Sequence, residues 1–209
     1  MSKKKGTIYI WTGVVLIASS LVLVASNLWT EHSAGDRSKQ VTVKLIEMIP
    51  EENGNQYSET QSEDVEIEYP DYILNPNMEM PVQEIDGAQY IGVLKIPRLN
   101  LELPIQSTWS YPGMKISPCR YEGSIYLDNL VICGHNYITH FGSLKELEPG
   151  DQVSFADMDG NKFDYVVMET EILQPTAVDE MTSGNWDLSL FTCTIGGATR
   201  VTVRCQNSK

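Results

Sequence analysis

Only three histidines and four cysteines occur in the 209 residues, and no two cysteines stand as a CxxC pair. His32, His135 and His140, with Cys119, Cys133, Cys193 and Cys205, are too sparse for a zinc site, whose ligands recur at short fixed spacings. Basic residues are also scarce: 15 Lys and Arg stand against 28 Asp and Glu, a net charge of −13. A nucleic-acid partner would need a basic surface, so that class is disfavoured. The acidity names no substrate, because solubility accounts for it equally well. The composition, 42% hydrophobic and 21% charged, is globular, with room for one ordinary domain and extra segments.

Charge is missing altogether from Thr7 to Trp29, a run of 23 residues. About 20 apolar residues cross a bilayer as a helix. Trp11 and Trp29 lie near the two ends, where interfacial aromatics sit, and Lys3, Lys4 and Lys5 would hold residues 1–6 in the cytoplasm. Residues 7–29 therefore read as a single-pass signal anchor, with everything after it outside. The alternative is a signal peptide cut after a small residue of "VASNLW"; its apolar core would normally be only about 7–15 residues long.

Lys and Arg are absent from Leu45 to Leu94, while twelve acids occur there. "EENGNQYSETQSEDVEIE" has too few large apolar residues to bury a core of its own. Its like charges repel and extend the chain. Residues 30–88 are expected to be an acidic extended linker, a spacer in one reading and an acidic docking site in the other.

From Gln89 the text changes to short apolar runs broken by turn signals. "YIGVLKIP" and "LELPI" flank "RLN"; "GSIYL" and "LVICGH" flank "DN"; "QVSFAD" and "FDYVVMETEIL" flank "MDGN". "LSLFTC" and "ATRVTVRC" flank Gly196-Gly197, and only "HFGSLKELEPGD" reads as helix, closed by Gly150. Residues 89–209 thus predict an all-β barrel or sandwich. About 120 residues suffice for one such core.

If Gly196-Gly197 is the loop of a hairpin, Thr194 faces Thr199 and Cys193 faces Arg200. Opposed residues hold their Cβ atoms about 4.5–5.5 Å apart. Thiol and guanidinium would then share one face, where a cation favours thiolate and can stabilise an oxyanion. The competing reading is a buried structural cysteine beside a surface arginine. A nucleophilic cysteine also needs a proton partner. His135, after the apolar run "NLVICG", stands at a strand–loop junction; His140 lies in a more polar loop, and His32 lies outside the domain. Arg204 is a weaker candidate on the same strand as Arg200.

These residues resemble the sortase family. "SLFTC" is similar to the family's TLxTC motif, with Ser189 for the first Thr; "CGHN" supplies the histidine, and "RVTVR" the arginine that opens the last strand. "IGVLKIPRLNLELPI" resembles the first two barrel strands. The resemblance covers about residues 89 to 207. It implies a closed β-barrel of about eight strands with one or two short helices. Cys193 would be the nucleophile, His135 the general acid/base and Arg200 the holder of the carbonyl and oxyanion, with Thr192 helping to shape the substrate pocket. The implied activity is cysteine transpeptidation at a Gram-positive cell surface. An LPxTG-like sorting signal would be cleaved through a thioacyl intermediate and passed to an amine of a cell-wall precursor or a pilin lysine. The family needs no organic cofactor. Some members bind calcium before the catalytic strand, where Asp179, Glu180 and Asp187 stand as scattered acids. The six-residue link from Cys193 to Arg200 is shorter than in many members. "GHN" is similar to class B without that class's long insertion, and a second apolar run, common in class C, is missing. A non-catalytic anchored barrel that only binds is the alternative, as is a disulfide between Cys119 and Cys205.

Overall fold

A computed structural model describes residues 3–50 and 69–208; the acidic stretch 51–68 lies outside the described residues. Nine strands make one sheet among the described residues: β1 (Gln83–Ile85), β2 (Ala88–Ile96), β3 (Leu101–Gln106), β4 (Cys119–Glu122), β5 (Leu130–Gly134), β6 (Gln152–Asp157), β7 (Lys162–Leu173), β8 (Leu188–Cys193) and β9 (Arg200–Asn207). Their order is β1-β2-β3-β4-β5-β8-β9-β7-β6, and β6 pairs back onto β2. Eight strands therefore close a barrel, and β1 is a short hairpin arm on β2. Closure depends on Gly92, where φ is +154° and an added Cβ would lie 2.1 Å from the Ala156 carbonyl oxygen. Any larger residue would push β6 off β2.

The barrel interior is filled by Ile91, Leu94, Ile105, Ile132, Leu190 and Val203 among others, all fully buried. β2 is buried on both sides, from Tyr90 through Leu94. Its outward Tyr90 and Val93 pack with Ile85, Met158, Val41 and Leu45. The last two belong to α1 (Lys3–Met48), a single helix of 46 residues. From Ile8 to Trp29 it is exposed and apolar, long enough to cross a membrane. Its second half lies on the barrel through Ala34, Ser38, Val41, Thr42 and Leu45, the i, i+4, i+7 spacing of one helix stripe. The composition-based linker from residue 30 is thus, up to Met48, helix docked on β2 and β3. Small residues in the stripe let the helix come close: a Cβ on Gly35 would meet Thr139 Cγ2 at 2.7 Å.

The downstream part of the same segment is also tied down. Tyr72, in α2 (Asp71–Leu74), stacks on Tyr126 with ring centroids 4.9 Å apart, and Met80 enters the core. β1 precedes the expected start at Gln89; its Asp86-Gly87 turn, φ +52° and +80°, is an ordinary hairpin signal in an acidic context. Two other expectations fail locally. "GSIYL" is a 3₁₀ turn at Ile125–Leu127, because Ser124 caps the Tyr126 N–H, and the strand beside β5 is Cys119–Glu122 instead. The expected helix over 140–150 shrinks to a 3₁₀ turn, Leu144–Glu146, too short to propagate before Pro149. Two further short helices, α3 (Tyr111–Met114) and α4 (Val178–Thr182), lie on the outside.

Candidate active site

β5, β8 and β9 lie side by side, and their register builds the site. β5 and β8 run parallel, with Gly134 beside Thr192 at the last pair. The next residues on each strand are His135 and Cys193. β8 and β9 run antiparallel, with Cys193 opposite Arg200. Neighbouring strands are about 4.8 Å apart, so His135, just past the end of β5, Cys193 and Arg200 occupy one row of backbone positions across three strands. The hairpin expectation for Cys193 and Arg200 agrees with this register. Its loop is held by Thr194 N–H donating to Thr199 O at 3.0 Å and by the two threonine hydroxyls, 3.1 Å apart. Gly196 and Gly197 take φ of +83° and +75°, which the turn requires and other residues resist.

Cys193 is half-buried, while Cys119, Cys133 and Cys205 are buried; all four are free thiols. No Cys119–Cys205 bridge forms: Cys119 lies opposite Cys133 across β4 and β5, and Cys205 lies in the barrel interior. Burial pushes the Cys119 thiol up to about 11 and the Cys205 thiol up to about 12. Cys133 is pushed up too, first by burial and then by its neighbour Cys119. These three stay protonated and inert at neutral pH.

His135 stacks flat on Tyr137, ring centroids 4.6 Å apart and 13° between planes. Burial, and then the charge of Lys115, lower its pKa below the usual histidine value, so the ring is largely neutral at pH 7. His140 is a different case. It is fully buried, and neither ring nitrogen has a hydrogen-bond partner among the described residues. Burial, then His135, lower its pKa to about 4; the nearby Ile116 and Ala34 carbonyls oppose this without meeting hydrogen-bond geometry. The unfolded imidazole takes a proton near pH 6.5 and the folded one only near pH 4, so stability is lost as pH falls through that window. The full difference is about 3 kcal/mol. A His140→Phe chain is expected to lose most of the drop in melting temperature between pH 6.5 and 4; an unchanged drop would place the acid sensitivity elsewhere.

The Arg200 Nη1 donates to Gly197 O at 3.1 Å and Thr199 O at 3.0 Å, which fixes the guanidinium on the turn beside Cys193. Its other nitrogens make no hydrogen bond among the described residues and can meet a carbonyl oxygen. Thr192, expected at the substrate pocket, is turned inward and buried. Its hydroxyl donates to Gly134 O at 2.8 Å, locking β5 to β8 one residue before His135 and Cys193. Arg204 is a structural residue: it is 2% exposed and donates to Glu171 Oε1 (2.8 Å), Ser189 Oγ (2.8 Å), Met181 O (2.9 Å) and Glu180 O, holding α4 on the sheet. Of the scattered acids, Asp187 accepts the Asn207 N–H at 2.7 Å, and Asp179 and Glu180 lie in the first turn of α4. No group of three or more His, Cys, Asp or Glu among the described residues could hold a metal ion. The aromatic chain Phe191–Tyr121–Trp109–Tyr111, in successive edge contacts, was not anticipated from sequence. It runs outward from the strand that carries Cys193, and its members come from three separate segments, so no local pattern marks it.

The sortase-domain family model matches residues 94–208. The chain belongs to the sortase family. Sortase D of Bacillus subtilis (strain 168) is 31% identical over 113 residues, 52% of this chain and 56% of that protein, so the chain spans about half of that relative's length. Among solved structures, a sortase C1 from Streptococcus agalactiae superposes with a TM-score of 0.53 at 24% identity, covering 60% of this chain and 71% of that one. A Clostridium perfringens sortase D5 transpeptidase gives 0.50 at 18% identity, covering 57% and 79%. At these identities the structural likeness is one of fold, and it extends to the closed eight-stranded barrel of this sortase.

Proposed function

We propose that this sortase is a membrane-anchored cysteine transpeptidase acting on surface proteins that carry an LPxTG-like sorting signal. The row His135–Cys193–Arg200 across β5, β8 and β9 carries this reading. Cys193 Sγ attacks the threonine carbonyl of the signal, and His135 takes the thiol proton as the S–C bond forms. Arg200 donates to the oxyanion of the tetrahedral species. The Thr–Gly C–N bond then breaks, and the glycine amine leaves with the proton from His135. An acceptor amine, from a cell-wall precursor or a pilin lysine, attacks the thioester. His135 removes its proton, a new amide forms, and Cys193 is released as a thiol. A largely neutral His135 suits the first step, since a base must be free to accept. α1 would anchor the enzyme with its barrel outside the cell.

The test uses the full chain in lipid nanodiscs, a panel of sorting-signal peptides and triglycine. A thioacyl adduct by intact mass, present on the wild type and missing from Cys193→Ala, with a peptide–triglycine product, is the expected result. If neither adduct nor product forms with any peptide while Cys193 still reacts with a thiol reagent, the barrel is not a sorting-signal transpeptidase. Arg200→Lys is expected to lower kcat about 10²-fold, since an ammonium lacks the planar fork and the two turn contacts. Unchanged kcat in that variant would remove Arg200 from the oxyanion role.

A further inference from the structure

The loop from His135 to Phe141 leans on α1 at the level where that helix would leave a bilayer. Glu31 Oε1 accepts the Ile138 N–H at 2.6 Å. One turn further along, Ala34 is buried and Gly35 touches the Thr139 side chain. Glu31 is two residues past Trp29, the last of the uncharged run, so at 1.5 Å per residue the contact lies about 3 Å beyond it along the helix axis. The headgroup layer is about 5–7 Å thick on each side. Ile138 is 70% exposed and Trp29 is 76% exposed, although both are large and apolar. The stretch from Asn129 to Leu144 holds no Asp, Glu, Lys or Arg, in a chain with a net charge of −13. A charge-free loop with an exposed isoleucine, fixed beside the end of a membrane-length helix, matches the chemistry of a bilayer interface.

We propose that the 135–141 loop rests in the headgroup layer of the membrane that α1 crosses, with Ile138 inserted at about the depth of Trp29 on the Glu31 side of the helix. This rests on the anchor reading above and adds an orientation to it. The end of the barrel that carries His135, Cys193 and Arg200 faces the lipid. A scissile bond would therefore be met at the bilayer surface, in a segment still held by the membrane. Attraction to lipid would come from apolar insertion, because the loop offers no cation to anionic headgroups.

The test places one cysteine at a time in the full chain on a Cys193→Ala background, where the remaining thiols are buried. Leu21→Cys lies mid-helix, Ile138→Cys at the loop, and Leu127→Cys, exposed and just before β5, at the opposite end of the barrel. Each carries an environment-sensitive fluorophore in phosphatidylcholine vesicles with nitroxide either on the headgroup or in mid-chain. The expected pattern is mid-chain quenching at Leu21, headgroup quenching at Ile138 several-fold above Leu127, and no more than background at Leu127. Equal, low quenching at Ile138 and Leu127 with Leu21 quenched overturns the orientation and leaves the anchor standing. A blue-shifted but unquenched label at Ile138 also overturns it, in favour of a protein covering the loop. An unquenched Leu21 removes the anchor, and the orientation with it.

Discussion

In a chain carrying His135→Ala, transfer of a sorting-signal peptide to an amine is expected to fall about 10³-fold, while Cys193 stays open to a thiol reagent. Among the described residues, His135 is the only titratable base that the register puts beside Cys193. Without it the glycine amine must leave unprotonated, and the acceptor amine must attack while keeping its proton. His140 cannot substitute: it is fully buried, with its pKa near 4 and its ring packed 5.5 Å from Tyr137. Single-turnover kinetics on the wild type, His135→Ala and His140→Phe separate these roles. A loss in His140→Phe as large as in His135→Ala, at pH 7 and with the fold retained, would reverse the assignment.

Leu45→Ala is expected to cost about 3 kcal/mol and to lower the melting temperature by roughly 10 °C in a chain of this size. Leu45 is fully buried on the outer side of β2, with Tyr90, Val93, Ile85 and Met158. Removing it opens a cavity between helix and barrel that neither rigid element can close. A chain begun at Gln89 goes further: it loses the whole stripe from Ala34 to Leu45, along with β1 and the Tyr72 stack, and leaves Tyr90 and Val93 in water. Thermal unfolding of the full chain and of Leu45→Ala in nanodiscs measures the effect. If the two melt together, α1 does not pack on the barrel and its second half is a free stalk.

Most strands were legible because apolar runs of five to eleven residues stood between recognisable turns; β1 and β4 lay outside those runs. Gly196-Gly197 alone was enough to set Cys193 opposite Arg200. The partnership of His135 with Cys193 was not legible from spacing, since it depends on a parallel pairing between strands 58 residues apart, and only the resemblance in "CGHN" and "SLFTC" pointed to it. The docked half of α1 escaped notice for a physical reason. Its contact stripe is made of Ala, Ser, Thr, Val and Leu among charged neighbours, so its average character is that of a solvated stalk. Thr192 was assigned by the resemblance and Arg204 by its place on the Arg200 strand, and neither signal shows what covers the side chain. α4 lies over Arg204, and the barrel interior takes Thr192.

A row set by main-chain pairing on three strands is addressed by counting rather than by shape. Side chains around it can change freely, yet the count along β5, β8 and β9 must stay fixed. Deleting one residue between Leu188 and Thr192 would turn the thiol into the barrel interior and carry Thr192 outward. Deleting two would restore the facing but move the thiol about 6.6 Å down the strand, away from both His135 and Arg200. Loops and the aromatic flank can therefore change without moving the row, whereas a change in strand length within β5, β8 or β9 breaks it.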